Sequence, residues 1–174
     1  MAAETNTITS EELLDLLELN ERDHVADLGC GTGFLTIPIA RIVSTDVHAV
    51  DLDRGALEEL KRRAEELQVE NILYEHMSFE YIRFSQNTLH KVITRFVLHE
   101  LPNLVKVIQD LRDMLRDDGL WLIIETEALS KGNSLSSDDL VRKLQSAGYE
   151  VERGYLRSTI YYLIARKAVR RSGL

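Results

Sequence analysis

The sequence predicts an α/β fold, a doubly wound and mostly parallel sheet finished by an antiparallel C-terminal hairpin. Three observations carry this. Between Val25 and Glu125, short apolar runs alternate with helix-period segments, an order that sets parallel strands between two layers of helices. The last two apolar runs, "YEVERGYL" and "STIYYLIARK", have too few residues between them for a helix, so they return on each other as a hairpin. The first strand runs directly into "LGCGTG", with Gly29, Gly31 and Gly33 forming the kind of strand-to-helix turn at which such sheets bind ligands.

In chain order, "SEELLDLLELN" is a helix with Ser10 as N-cap and Leu13, Leu14, Leu16 and Leu17 on its apolar side. "HVADLG" is a buried strand, and "FLTIPIARIV" has helical spacing, with Pro38 removing a backbone donor early on. "DVHAVDLD" is the second strand. "RGALEELKRRAEELQ" follows as a helix with Ala56, Leu60, Ala64 and Leu67 along one stripe. "NILYEHM" and "LHKVITRFVL" are the third and fourth strands, "NLVKVIQDLRDMLRDDG" is a helix closed by Gly119, and "LWLIIETE" is the fifth strand. A polar loop, "KGNSLSS", leads into a helix within "SSDDLVRKLQSAGY", capped by Ser136 or Ser137 and ended by Gly148. The 174 residues suit one domain, divided as a helical extension over 1–24, a ligand-binding domain over 25–167 and a basic tail over 168–174.

With 29 acidic against 21 basic residues the net charge is −8, which disfavours nucleic acid as a partner, because such a face needs a basic stripe to displace counterions. The basic cluster Arg166, Lys167, Arg170 and Arg171 reads as a solvated chain end. Cys30 is the only cysteine, so neither an internal disulfide nor a cysteine metal cluster can form. No metal is expected, since the five histidines lack ligand spacing. The opening "MAAETNTITS" lacks the basic region and apolar run of a secretory signal, and no apolar stretch reaches the length of a membrane span. A cytoplasmic location without membrane association is therefore expected.

A glycine loop ahead of a helix suits either a dinucleotide or S-adenosylmethionine. The dinucleotide fingerprint is G-x-G-x-x-G, whereas the spacing here is G-x-G-x-G and Phe34 stands in the place of the third glycine. That mismatch argues against NAD. Asp51, at the end of the second strand, suits the ribose diol of either ligand, and Asp53 is better placed than Asp51 to cap the helix that follows.

"VADLGCGTG" resembles motif I of the class I S-adenosylmethionine-dependent methyltransferases, and "AVDLDRGALEEL" resembles the segment in which they carry a ribose-binding acid. "VITRFVLHELPN", "DLRDMLRDDGLWLIIE" and "LVRKLQSAGYEVE" resemble later segments of the ubiquinone/menaquinone-biosynthesis group (methyltransferase types 11 and 25). The resemblance runs from about Val25 to Arg166. It implies a Rossmann-like, seven-stranded sheet in the order 3-2-1-4-5-7-6 with S-adenosylmethionine as cofactor. It also implies that Asp27 orients the loop and the methionine amino group, and that Gly29, Cys30, Gly31 and Gly33 meet the methionine portion mainly through backbone. Asp51 would bind the ribose, Leu52 would lie against the adenine, and Arg95 and Phe96 would border the methionine end through backbone carbonyls.

Two departures from the family's pattern stand out. The glycine–aspartate pair that usually follows the third strand is absent from "YEHMSFEYI". In its place Met77 and Phe79 are expected to sandwich the adenine and the Ser78 N–H to reach its edge, with Glu80 as an alternative acceptor. In "LHKV", His90 replaces the acid that the family carries near motif I, and reads as a structural substitute.

Methylation of oxygen or of an activated carbon needs a positioned nucleophile and a base. Candidates at the carboxyl ends of the strands are His99 and Glu100 after the fourth, Glu125 and Glu127 closing the fifth, and Tyr81 and Arg83 before the fourth. His99 is the choice for a base because its ordinary pKa is near neutral, with Glu100 beside it. A His99 that only packs and hydrogen-bonds is the competing reading, and Glu100 and Glu125 compete as solvated or capping acids. "RFVL" stands where N-methyltransferases of nucleic acid bases and glutamine carry N-P-P-Y, which favours a small-molecule acceptor, methylated on O, N or C. With about one helix before the core and no insertion between the fifth strand and the last helix, either the site is open to a large or flat acceptor or a second subunit covers it, so a homo-oligomer is expected. The alternative function is a non-catalytic cofactor-binding or scaffold subunit that keeps the fold; a more distant one is an NAD-linked oxidoreductase.

Overall fold

A computed structural model describes residues 7–127 and 135–168. Seven strands form one sheet: β1 (Val25–Leu28), β2 (Val47–Asp51), β3 (Ile72–His76), β4 (Leu89–Arg95), β5 (Leu115–Thr126), β6 (Tyr149–Tyr155) and β7 (Ile160–Lys167). Their spatial order is β3-β2-β1-β4-β5-β7-β6. The first five run parallel, and β7 lies antiparallel between β5 and β6. This is the expected doubly wound sheet with its closing hairpin.

Successive strand residues point to opposite faces and so feed two apolar cores. On one face Val25, Val47, Ile93 and Leu122 pack with α1 (Ser10–Leu17), α2 (Thr36–Ala40) and α3 (Arg54–Glu66). On the other Ala26, Val50, Val92 and Trp121 pack with α4 (Leu104–Met114) and α5 (Ser137–Ser146). Covered on both faces, β1 is buried at all four positions, the reason its sequence is a continuous apolar run interrupted only by Asp27.

Several local expectations shift. The N-cap of α1 is Thr9: its hydroxyl accepts the Glu12 N–H at 3.3 Å, and the Glu12 carboxylate accepts the Thr9 N–H at 2.9 Å. This reciprocal box leaves Ser10 already helical. In α3 the buried stripe is Leu57, Leu60 and Ala64; Ala56 is half-buried and Leu67, past the last turn, is exposed. Gly119 does not close α4, which ends at Met114 with β5 beginning at the next residue. The register between β4 and β5 slips here, Leu89 facing Leu115 but Lys91 facing Leu120. A Cβ on Gly119 would lie 2.9 Å from the Leu89 carbonyl oxygen, so the glycine serves this close backbone approach.

His90 sits away from the glycine loop, at the amino ends of the strands. Its Nδ1 accepts the His24 N–H at 3.0 Å and the two rings stack, tying β4 to the residue before β1. Ser136 caps α5, accepting the Asp139 N–H at 3.2 Å, and Gly148 beyond it has φ +86°. Arg166 and Lys167 belong to β7, where they bond Glu18 and Asp117; Arg170 and Arg171 lie outside the described residues, as does 131–134 of the polar loop. No helix among the described residues is long and apolar enough to cross a membrane.

Candidate functional site

From β1 the chain winds outward through β2 to β3, then crosses back to lay β4 on the other side of β1. The carboxyl ends of the strands at this reversal leave a crevice, the general ligand position of open α/β sheets. It forms here a cleft of about 580 Å³, open to solvent and walled by Gly29, Asp51, Leu52, Phe79, Glu80 and Val97 among others.

The three glycines of the loop do different work. Gly29 and Cys30 both donate their N–H to the Val50 carbonyl, at 2.8 and 3.1 Å, bending the loop over β2. Gly29 has φ +77° and meets Val97, and Gly33 has φ +85° and meets Leu60 of α3; in both places a Cβ would overlap the neighbouring side chain. Gly31, at φ +52°, faces open space. The loop's third glycine therefore performs the close helix packing that a dinucleotide loop assigns to the following position.

Asp51 is held between two amides. Its Oδ2 accepts the Gly31 N–H at 2.7 Å and its Oδ1 accepts the Asp53 N–H at 2.8 Å. Asp53 takes the N-cap of α3, accepting the Ala56 N–H at 3.1 Å, so Asp51 is spared that task and faces the cleft. Deeper, Asp27 is buried and accepts the Thr36 hydroxyl at 2.6 Å. Burial pushes its pKa up to about 6, against the pull of the Thr36 bond and of the Arg95 charge. Burial likewise raises the Cys30 thiol well above its ordinary value, leaving a small apolar side chain rather than a nucleophile.

At the end of β4 the Arg95 guanidinium lies 4.5 Å from the Phe34 ring centre and 4.8 Å from that of Phe96. Its Nε is buried without a hydrogen-bond partner, and desolvation lowers its pKa. Phe96 adopts φ +56°, turning the chain from the strand toward the cleft.

After β3, Met77 is 41% exposed and its N–H donates to the Asp51 carbonyl at 3.1 Å. Ser78, Phe79 and Glu80 do line the cleft, together with Leu52, which is 68% exposed. Glu80 Oε1 is buried with no hydrogen-bond partner.

The two catalytic candidates diverge. Glu100 is on the cleft wall with its side chain exposed. His99, on the single turn Leu98–Glu100, places Nδ1 2.9 Å from Oε2 of Glu125. Glu125 is fully buried, and its Oε1 accepts the Leu98 N–H at 2.8 Å. Glu127 is engaged with Ser137 and Tyr155, Arg83 pairs with Asp110, and Tyr81 is 76% exposed; neither these three nor His99 is among the residues that line the cleft. Sequence reading missed the His99–Glu125 pair and the aromatic bracket of Arg95. The available signal was an acid ending a wholly apolar run, "LWLIIE", where its side chain had to be buried.

The family described as "Methyltransferase domain" matches residues 25–119. The chain is 25% identical over 118 residues to a demethylmenaquinone methyltransferase of Geobacillus sp. (strain WCH70), spanning 67% of this chain and 50% of that one. It is 32% identical over 89 residues to the ribosomal RNA small subunit methyltransferase A of Malacoplasma penetrans (strain HF-2), spanning 51% of this chain and 32% of that one. The chain thus spans half or less of these relatives' length. Its fold matches that of an S-adenosylmethionine-dependent methyltransferase from Aquifex aeolicus with a TM-score of 0.79 at 21% identity, over 92% of this chain and 90% of the other.

Proposed function

The chain belongs to the methyltransferase domain family, and from that premise we propose that it is an S-adenosylmethionine-dependent methyltransferase acting on a small-molecule acceptor. The observation that carries the reading is the set of groups gathered on one cleft wall. Gly29 of the glycine loop, the Asp51 carboxylate tied to the Gly31 amide, the apolar Leu52 and Phe79, and Glu80 with its unpartnered oxygen all line it.

Those residues fit the cofactor. Asp27 and Arg95 suit its amino and carboxylate groups, with Gly29, Cys30, Gly31 and Gly33 beside them and Phe96 closing that end. Asp51 suits the ribose hydroxyls, since each of its oxygens spends one lone pair on an amide and keeps another. Leu52 and Phe79 suit the adenine faces, and the Ser78 amide and Glu80 its edge. When bound, S-adenosylmethionine presents a methyl group on a positively charged sulfur, an electrophile for a positioned nucleophile. His99 serves as base and Glu100 borders the acceptor's side of the cleft.

A net charge of −8 supports a small acceptor over RNA. The open cleft supports a second copy covering it, to be read by light scattering on the purified chain. Calorimetric titration with S-adenosylhomocysteine is the test of the reading itself. Saturable binding with one site per chain is expected; no binding at millimolar ligand overturns it. Binding without transfer to any acceptor in a broad panel would instead favour a scaffold subunit.

A further inference from the structure

The sheet ends in two edges, β6 and β3, and they are built differently. β6 carries Glu150, Glu152 and Arg153 beside Gly154, the kind of charged strand that resists pairing with another chain. β3 carries Ile72, Leu73 and Tyr74 in succession, and its one acid, Glu75, is engaged with His48 of β2, Oε1 lying 2.6 Å from Nδ1. In the parallel ladder with β2, residues 71, 73, 75 and 77 turn their backbone groups toward β2. At its two ends the Val47 N–H donates to the Asn71 carbonyl at 2.9 Å and the Met77 N–H to the Asp51 carbonyl at 3.1 Å. By the alternation of a strand, the amides and carbonyls of Ile72, Tyr74 and His76 point to the open edge.

The charges of α3 also divide in two. Arg62 bonds Glu59 and Glu66 of its own helix, and Arg63 bonds the Thr32 carbonyl. Toward β3, the side chains of Arg54, Lys61 and Glu65, and of Glu70 ahead of the strand, make no hydrogen bond or ion pair with the described residues. They line two hollows of about 480 and 850 Å³ that share Lys61 and Tyr74. The hollow at the carboxyl end of β3 holds Arg54, Lys61 and His76 against one acid, Glu58. The hollow at the amino end holds Glu65 and Glu70 against Lys61. One is therefore cationic and the other anionic.

We infer that β3 is an interface between two copies of this chain, paired antiparallel about a two-fold axis at Tyr74 into one continuous sheet. In that register residue 74 faces its own counterpart and 72 faces 76, so the outward amides and carbonyls of both strands are satisfied together. The two Tyr74 rings form a cross-strand aromatic pair. The cationic hollow of each copy meets the anionic hollow of the other, twice, as an isologous interface requires. A parallel arrangement would level like charge with like. The axis lies alongside the β3 end of the cleft, where His76 Nε2 is 3.0 Å from the Leu52 carbonyl. The inference does not depend on the methyltransferase reading.

The test is sedimentation velocity of the full chain over a concentration series, where a dimer is expected. Tyr74→Lys sets two like charges across the axis and should raise the dimer Kd about 100-fold or more. Arg54→Glu and Glu70→Arg should each weaken the dimer about tenfold, and the two together should restore it. Cys30 is buried, so Tyr74→Cys introduces the accessible thiol. The two Cα atoms at 74 would stand about 5.5 Å apart, within disulfide reach. Mild oxidation should therefore give a covalent dimer, and Glu152→Cys on the β6 edge should not. If Tyr74→Lys fails to fold, the cross-link decides by itself. A monomer at every concentration, a dimer indifferent to Tyr74→Lys, or cross-linking through Glu152→Cys but not Tyr74→Cys overturns the inference. Single reversals that the double variant does not rescue overturn the antiparallel register.

Discussion

At the glycine-loop end of the cleft, the amides of Gly29, Cys30 and Gly31 each donate to a fixed acceptor, and Asp51 and Asp27 are held by donors of their own. At the β3 end, Leu52 and Met77 are exposed and the buried Glu80 Oε1 has no hydrogen-bond partner. The first end has its loop amides and acids held before any ligand arrives and leaves only the buried Arg95 Nε, among the described residues, without a hydrogen-bond partner. The second has apolar faces and one lone pair still to be satisfied, so ligand binding must complete it. Pre-formed sites lose little to ordering on binding, whereas half-built ones spend part of the contact energy on it. Specificity for the methionine and ribose portions should therefore be rigid, and adenine recognition more adaptable.

The sharpest way to break the built end is Gly33→Ala. Its Cβ would overlap Leu60 in the core and its φ of +85° is strained for an L-residue, so a loss of about 3 kcal/mol is expected. Thermal melting should show a Tm lower by about 6–12 °C, with cofactor binding lost alongside.

Asp27 tests the same end through pH. Its folded pKa, about 6, lies above the ordinary value of 3.8, so the folded state binds the extra proton between those values. The stability this confers is complete below pH 4 and lost as pH rises to about 6, a fall of up to about 3 kcal/mol for a shift of roughly two units. Asp27→Asn should remove that slope and melt higher than the wild type at pH 7, while binding S-adenosylhomocysteine more weakly. Urea unfolding of both proteins at pH 4.5 and 7 gives the difference.

Asp51→Ala should weaken S-adenosylhomocysteine binding about 100-fold, since two charge-assisted hydrogen bonds to the diol are lost. At the unfinished end the effects are smaller. Glu80→Gln should cost about fivefold in affinity, and the loss should vanish for a ligand whose adenine amino group is replaced by a carbonyl. Met77→Ala should leave affinity within about twofold, since the Met77 side chain is largely solvated. A large effect of Met77→Ala, or none of Asp51→Ala, would erase the contrast between the two ends.

Most of the fold was legible because its signals are local. Strand runs, helix periods and the two-residue glycine spacing each act within a few residues, and so does the division of labour between Asp51 and Asp53, set by which acid precedes the first turn of α3. Where local signals compete, legibility ended. Thr9 and Ser10 are both good caps, and only the reach of Glu12 decides for Thr9. Gly119 has the composition of a helix stop, yet it serves a register slip opposite Leu89, a partner far away in the chain.

By itself, then, the sequence determined the strand–helix order, the closing hairpin, the glycine loop and the acid after β2, all short-range consequences of periodicity, turn chemistry and capping. Only the tertiary structure decided that Arg95 lies between two phenylalanine rings and that His99 meets Glu125. Those outcomes depend on how far β4 and β5 run side by side before their ends diverge. Register between strands is settled by the packing of whole faces and not by any residue's own neighbours.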